Sequence, residues 1–202
     1  MKVQILSYLT AFLCLSSAFL FAEDTIQDKA TGVTFPKEVA FQYDAKDYKL
    51  QATGVATRKK FFVKIYSIAS YIEEGANTNG PDKLQAFLQD DKAKQLTMKW
   101  VYDADAQKVQ NGYLESFKAS LSADQYNQLQ NEINTFVQYF NKDIKKGDEH
   151  ILRWFPGGTV VVLINGSKVG TIKNVEFAKA LWSIWFGPKS VVDRNNLVSL
   201  VK

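Results

Sequence analysis

The sequence contains one cysteine, Cys14, and one histidine, His150, in 202 residues. A single thiol leaves no partner for a disulfide within the chain, and no His/Cys spacing typical of a metal site occurs. The sequence also lacks a glycine-rich phosphate loop before a helix and a Gly-x-Ser-x-Gly nucleophile elbow. These absences predict no metal site and no cofactor, and they argue against nucleotide-dependent and serine-hydrolase chemistry.

The remaining ionisable groups do not form an obvious catalytic set. His150 precedes a predicted strand, and we interpret it as a surface or capping residue. Three acidic pairs lie beside turns or element ends, where we expect solvated surface: Glu73-Glu74, Asp90-Asp91 and Asp148-Glu149. On its chemistry alone, the sequence therefore does not favour an enzyme.

The N-terminal segment has the pattern of a secretory signal peptide. Lys2 is followed by an almost uninterrupted apolar run from residue 5 to residue 21, and Ala22 precedes the acidic pair Glu23-Asp24. We expect residues 1–22 to be removed, although cleavage after Ala18 also fits. The alternative is a retained membrane anchor, but the run is slightly shorter than the ~20 residues that a bilayer requires. The prediction is a periplasmic or secreted protein without a stable membrane span.

Removal of this segment leaves a domain of residues 23–202 that contains no cysteine. Lys2 is the only charge that is lost, so the formal charge of +4 falls by one. A weak and scattered positive charge does not indicate nucleic-acid binding. Aromatic residues make up 13% of the chain, which fits either a large aromatic core or an apolar pocket.

The order of predicted elements indicates an α+β fold. Strands are expected over Val39–Phe41 and Tyr48–Arg58. The strongest strand is expected over Phe61–Ile72, which is largely apolar on both faces and therefore central in a sheet. Three more strands follow the pattern of alternating or β-branched residues: Leu96–Tyr102, Ile151–Phe155 and Thr159–Ile164. Asn165-Gly166 predicts a two-residue hairpin turn into a strand over Lys168–Ile172. The sheet is expected to be mostly antiparallel, with helices layered on one face.

Helices are predicted from capping residues and from apolar side chains at helical spacing. A short helix is expected over Pro81–Gln89, and a longer one after a cap at Asp103 or Asp105. Ser122 with Gln125 forms a capping box before a helix that would extend to Ile144. Asn174 is expected to cap a helix that ends at Gly187-Pro188, and a last helix is predicted over about Val191–Val201.

Residues 54–58 and 61–73, Gly-Val-Ala-Thr-Arg and Phe-Phe-Val-Lys-Ile-Tyr-Ser-Ile-Ala-Ser-Tyr-Ile-Glu, resemble the chalcone isomerase superfamily. Within it, the sequence is most similar to the exported bacterial chalcone isomerase-like proteins. The resemblance continues through Thr97-Met98-Lys99, the Gly147-Asp148 turn and residues 159–164, 177–181 and 184–187. It covers nearly all of residues 23–202 and implies an open-faced β-sandwich.

The resemblance also implies a site. Plant chalcone isomerases cyclise a flavonoid precursor, whereas plastid relatives bind fatty acids without catalysis. Arg58 matches the arginine that both groups use, and Tyr66 matches the tyrosine that shares the carboxylate in the fatty-acid binders. Positions that carry further catalytic side chains in the isomerases correspond here to Asp105, Gly112 and Ile184, although Tyr102 and Tyr113 are close in sequence.

The expected function is therefore binding of a fatty acid or another apolar carboxylate by Arg58 and Tyr66, without catalytic residues. A guanidinium fork grips a carboxylate with two hydrogen bonds, and a tyrosine hydroxyl can donate a third. Six apolar residues are candidates for the cleft lining: Phe62, Ile68, Trp100, Phe117, Leu181 and Trp185. The alternatives are an isomerase or intramolecular lyase that acts on an enone, and an interaction module of the cell envelope.

Overall fold

We analysed a computed structural model that describes residues 24–76, 83–89 and 91–201. The predicted signal peptide, residues 1–22, lies outside the described residues. A two-stranded sheet pairs β1 (Thr25–Gln27) with β2 (Thr34–Pro36). A second sheet has seven antiparallel strands in chain order: β3 (Glu38–Tyr43), β4 (Lys46–Lys60), β5 (Val63–Glu73), β6 (Lys94–Trp100), β7 (Glu149–Phe155), β8 (Thr159–Ile164) and β9 (Ser167–Lys173).

Helices are inserted after β5, between β6 and β7, and after β9. They are α1 (Lys83–Ala86), α2 (Ala106–Ser120), α3 (Ala123–Gln128), α4 (Gln130–Gln138) and α5 (Val175–Phe186), followed by one 3₁₀ turn at Asn196–Val198. The capping predictions are confirmed: Asp105 caps α2, Ser122 and Gln125 form the capping box of α3, and Asn174 caps α5. Local side-chain hydrogen bonds therefore define where these helices begin.

The central position of β5 is confirmed, because every residue from Tyr66 to Ile72 is buried. Its Tyr66 and Ile68 side chains join the main core, to which the helices contribute. The Tyr71 side chain points to the other face and packs in a smaller core with Phe35 from β2. The predicted α+β class, with a large antiparallel sheet and helices layered on one face, is thus the observed fold.

The seven-stranded sheet is strongly curled. The rings of Tyr43 in β3 and Phe155 in β7 stack with centroids 4.1 Å apart. These strands are separated by four inter-strand spacings, which would place them about 19 Å apart in a flat sheet. The sheet therefore forms a half-barrel whose concave face holds the smaller aromatic cores, while the helices cover the opposite face.

Two helix predictions are wrong in extent. The helix expected to reach Ile144 ends at Gln138, because the Ile144 main chain forms a bridge with Ala104 instead. The helix predicted over Val191–Val201 is reduced to the 3₁₀ turn, because the main chain there bonds to β4. The Leu200 N–H donates to the Thr53 carbonyl at 2.9 Å, and the Thr53 hydroxyl donates to the Leu197 carbonyl at 2.8 Å.

The beginning of the strongest strand is also different from the prediction. Phe61 and Phe62 form a two-residue turn between β4 and β5, and Lys60 pairs with Val63 across it. Both phenylalanine side chains point into solvent, with 89% and 100% of their surface exposed. High β-propensity and the absence of Gly or Asn concealed this turn in the sequence.

Candidate binding cavity

A cavity of about 420 Å³ lies where the ends of β4, β5 and β6 meet α2, α5 and the segment after α5. This volume is within the range of ~300–1,000 Å³ that is usual for small-molecule sites. Most of the lining is aromatic or aliphatic: Phe61, Val63, Ile65, Tyr66, Trp100, Tyr102, Val109, Tyr113, Ile184, Trp185 and Val191. The cavity also contains Arg58, so it combines an apolar wall with a permanent positive charge.

Arg58 and Tyr66 face each other across the β4–β5 ladder as direct cross-strand partners. The register shifts at the next step, where Lys59 pairs with Lys64, so Ile65 is an extra residue on β5. In a regular strand, consecutive side chains point to opposite faces. The bulge allows both Ile65 and Tyr66 to line the cavity, which is a common role of bulges near functional sites.

The Arg58 guanidinium is held by the chain itself and not by an acid. One Nη donates to the Val191 carbonyl at 2.8 Å. Within the described residues, no carboxylate forms an ion pair with Arg58; the acidic residue at the cavity rim, Glu115, is paired with Lys60 at 3.5 Å. The guanidinium is therefore oriented and retains donors for an anionic group.

The Tyr66 hydroxyl is positioned by Trp185. The Trp185 indole Nε1 donates to the Tyr66 oxygen at 3.1 Å, and the described residues provide no acceptor for the hydroxyl proton. Burial raises the pKa of Tyr66, and the Trp185 hydrogen bond and the Arg58 charge offset this rise only in part. Tyr66 is therefore a neutral hydrogen-bond donor at physiological pH, directed by its neighbour.

The residues predicted to line the cleft divide into three groups. Trp100 and Trp185 line the cavity. Ile68, Phe117 and Leu181 are fully buried in the core, outside the cavity wall. The prediction for Phe62 is wrong, because its side chain lies in the exposed turn. Five further lining residues could not be assigned to the cavity from the sequence: Phe61, Val63, Ile65, Val109 and Val191.

The positions that correspond to additional isomerase residues carry little acid–base chemistry. Asp105 accepts from the Lys108 N–H and caps α2, away from the cavity. Gly112 and Ile184 line the cavity but have no ionisable group. Tyr113 does line it, yet burial raises the pKa of its hydroxyl well above the ordinary value, and its contact is a weak one to Met98 Sδ at 3.9 Å.

The interpretation of His150 as a surface or capping residue is wrong. Its side chain is fully buried in β7, between the rings of Trp100 and Phe140. Neither ring nitrogen has a hydrogen-bond partner among the described residues. Burial lowers the pKa of His150 to about 4, against a smaller opposing effect of the Asp148 charge. The imidazole is therefore neutral and packs against the Trp100 ring.

A larger groove of about 910 Å³ lies between the β1 region, β4 and the C-terminal segment. Its buried acid, Asp28, accepts hydrogen bonds from Thr57 and Ser67. Burial by itself raises the pKa of Asp28. These hydrogen bonds, together with those of Ala30 and Thr31, lower the pKa by more than burial raises it, so the carboxylate is charged. The groove is also lined by Lys29 and Lys59, but a charged carboxylate in its wall opposes an anionic ligand and its lining contains no aromatic residue. The smaller cavity is therefore the better candidate for the predicted chemistry.

A metal site and a membrane-spanning helix are two further possibilities for the described part of the chain. There, no group of three or more His, Cys, Asp or Glu side chains is arranged to hold a metal ion. Over the same residues, no helix is both long and apolar enough to span a bilayer.

Comparison with known proteins agrees with this architecture. The family model described as chalcone isomerase-like matches residues 27–195. No curated protein matches the sequence significantly. Among solved structures, the crystal structure of a fatty-acid binding protein from Arabidopsis thaliana has a TM-score of 0.69. The match covers 87% of this chain and 96% of the plant chain at 16% identity, so it shows a shared fold. The chain belongs to the chalcone isomerase-like family.

Proposed function

We propose that this protein binds a fatty acid or another apolar carboxylate without catalysis, and that Arg58 and Tyr66 hold the carboxylate. The observation that carries the proposal is the pairing of Arg58 with Tyr66 across two strands, inside one cavity with an otherwise largely apolar wall. The ligand that fits such a cavity is an acid with a long apolar body. The shared fold with a plant fatty-acid binding protein supports the same conclusion.

The two residues have complementary roles in this proposal. The Arg58 guanidinium supplies the positive charge and keeps its orientation through the Val191 carbonyl. Tyr66 accepts the Trp185 hydrogen bond and donates a hydrogen bond from its hydroxyl to the second carboxylate oxygen. Desolvation inside the cavity strengthens both interactions relative to water. The acyl chain then contacts the apolar wall, where each buried CH₂ contributes about 0.8 kcal/mol.

The proposal includes export, with the exported bacterial chalcone isomerase-like proteins as the nearest group. Its support is the apolar run of residues 5–21 after Lys2 and the small residue Ala22. N-terminal sequencing of the protein from a fractionated host tests it. A mature protein in the periplasm or medium that begins near residue 23 is expected; an unprocessed protein in the cytoplasm would contradict it.

Calorimetric titration of delipidated protein with palmitate tests the binding itself. Arg58→Met removes the charge but keeps an unbranched side chain, and it should weaken palmitate about 10- to 100-fold, since hydrogen bonds to charged groups are worth about 1.5–3 kcal/mol. The matched control is Arg194→Met. Arg194 is also half-buried and also donates to a main-chain carbonyl, that of Phe186, but it does not line the cavity.

A neutral ligand separates the charge from the apolar wall. Methyl palmitate lacks the carboxylate charge, so its affinity should differ far less between wild type and Arg58→Met. Arg194→Met should bind palmitate as wild type does. The proposal is refuted if folded wild-type protein does not bind palmitate, or if Arg58→Met binds it as tightly as Arg194→Met.

One observation favours the isomerase alternative: the hydroxyl-bearing Tyr102 and Tyr113 line the same cavity as Arg58. Turnover of chalcone or another enone by wild type, lost in Arg58→Met, would establish that activity in place of simple binding. The raised pKa of Tyr113 makes it a poor base, which is why binding is the preferred function.

A further inference from the structure

The exposed apolar side chains of the described residues are concentrated at one place. Four of the six large ones are Phe61, Phe62, Val63 and Tyr102, which we call the apolar tip. Phe61, Val63 and Tyr102 also line the cavity. The apolar tip therefore forms part of the rim of the cavity. Phe61, Phe62 and Val63 belong to the β4–β5 hairpin, and Tyr102 to the segment after β6.

The turn at the apolar tip is unfavourable for the fold. Phe61 has a φ of 55°, and Phe62 has no positive φ, which is the pattern of a type II′ turn with its preference for glycine at the first position. A positive φ is a genuine outlier for a bulky residue. The β8–β9 hairpin of the same chain uses Asn165-Gly166, both with positive φ, as turn chemistry favours.

The charges beside the apolar tip are also unfavourable for an isolated protein. Lys59 and Lys64 are direct cross-strand partners, and like charges in this position repel. Among the described residues neither forms an ion pair. Both are exposed, as is Lys60 on the same hairpin. Lys64 donates to the Ala30 carbonyl and Lys60 is paired with Glu115 at 3.5 Å, but neither contact removes the repulsion between Lys59 and Lys64. Strain and local conflict of this kind concentrate at functional positions.

We propose that the apolar tip docks on an anionic lipid bilayer, with Phe61 and Phe62 inserted among the lipids and Lys59, Lys60 and Lys64 at the headgroups. Aromatic rings prefer the membrane interface, and basic side chains beside them attract anionic lipids. The charge complementarity favours this partner over a second copy of the chain, whose tip would carry the same positive charge.

Docking in this orientation would place the cavity mouth against the bilayer. An apolar acid could then move between membrane and cavity without crossing water. This consequence rests on the proposed function, whereas the docking itself rests only on the apolar tip and its lysines.

Co-sedimentation with vesicles tests the docking. Vesicles of phosphatidylglycerol and phosphatidylcholine should bind wild type on the order of 100-fold more tightly than phosphatidylcholine alone, since each of the three lysines near the surface contributes about a factor of five. The preference should weaken as salt is added. The assay measures vesicle binding and not palmitate uptake, so its failure would leave the proposed function standing, and the reverse also holds.

The informative variant is Phe61→Gly/Phe62→Asn, which gives the turn residues that its geometry prefers. It should lose vesicle binding at least tenfold while the thermal midpoint stays equal or rises. Phe62→Ser alone is a second variant, because a fully exposed side chain contributes no packing. Val169→Ser/Leu200→Ser is the matched control, since these are the other two exposed apolar residues and lie outside the apolar tip.

Charge reversal provides an independent arm. Lys59→Glu/Lys64→Glu should abolish the preference for anionic vesicles, whereas Lys173→Glu, at the opposite end of the sheet, should have a much smaller effect. The proposal is overturned if wild type does not bind anionic vesicles, or if Phe61→Gly/Phe62→Asn binds like wild type. It is also overturned if sedimentation shows that wild type is a dimer and Phe61→Gly/Phe62→Asn is a monomer, because the partner of the apolar tip would then be a second copy of the chain.

Discussion

Replacement of His150 by leucine should stabilise the protein, and more so as the solution becomes acidic. In the folded state the imidazole is fully buried between two aromatic rings, without a hydrogen-bond partner among the described residues. A buried polar group in this state costs about 1–3 kcal/mol, and an apolar side chain of similar size avoids that cost. Near neutral pH we therefore expect His150→Leu to raise the free energy of unfolding by about that amount.

The pH dependence follows from the pKa of the same side chain. It is about 4 in the folded protein and 6.5 when unfolded, because burial disfavours the charged ring. Between these values the unfolded chain binds the proton and the folded chain does not, so the wild-type stability falls as the pH falls. The loss is about 2 kcal/mol between pH 7 and pH 5 and about 3 kcal/mol by pH 4. His150→Leu lacks this loss.

Urea unfolding followed by tryptophan fluorescence measures the effect at each pH. Since His150 is the only histidine, the difference between wild type and variant isolates it from the carboxylates that also titrate. The imidazole proton resonance gives the folded pKa directly. An equal gap between the two proteins at pH 7 and pH 5, or a resonance that titrates near 6.5, would refute the argument.

Further substitutions test a close packing contact of β4 and the hydrogen bond between Trp185 and Tyr66. Gly54→Ala should destabilise the protein by about 3 kcal/mol, because an added Cβ would overlap the Asn196 carbonyl oxygen and lie 2.7 Å from the main-chain carbon of Leu197. Thermal unfolding measures this loss, and a variant as stable as wild type would contradict the close approach of β4 to the C-terminal segment. Tyr66→Phe should cost about 1–3 kcal/mol in urea unfolding even without ligand, because it leaves the buried Trp185 N–H without its acceptor. Trp185→Phe combined with Tyr66→Phe should then cost less than the sum of the two single changes, and simple additivity would show that the hydrogen bond contributes nothing.

The sequence predicted those parts of the fold that depend on local signals. Helix caps at Asp105, Ser122 and Asn174 and the Asn165-Gly166 turn are decided by residues within a few positions of each other. The segment after α5 was predicted wrongly because its hydrogen bonds go to Thr53 in β4, far away in sequence. Propensity cannot anticipate a partner of that kind.

The candidate site was predictable in part. Arg58 and Tyr66 came from the resemblance, and the structure brings them together on adjacent strands. His150 could have been assigned to the interior, because it alternates with Leu152 and Trp154, whose side chains are buried on the same face of β7. The exposed turn at Phe61 and Phe62 had no such signal, since two aromatic residues in sequence favour a strand.

The hydrogen bond between Arg58 and Val191 determines when the site can form during translation. The two residues are 133 positions apart, and Ile184, Trp185 and Val191 form one wall of the cavity. A ribosome releases the N-terminal half of the site long before this wall is synthesised. Until then the Arg58 guanidinium lacks the Val191 carbonyl, and the cavity lacks the wall formed by Ile184, Trp185 and Val191. Ligand capture therefore has to wait until Val191 has been synthesised, and a bound acid cannot guide the folding of the strands that precede it in the chain.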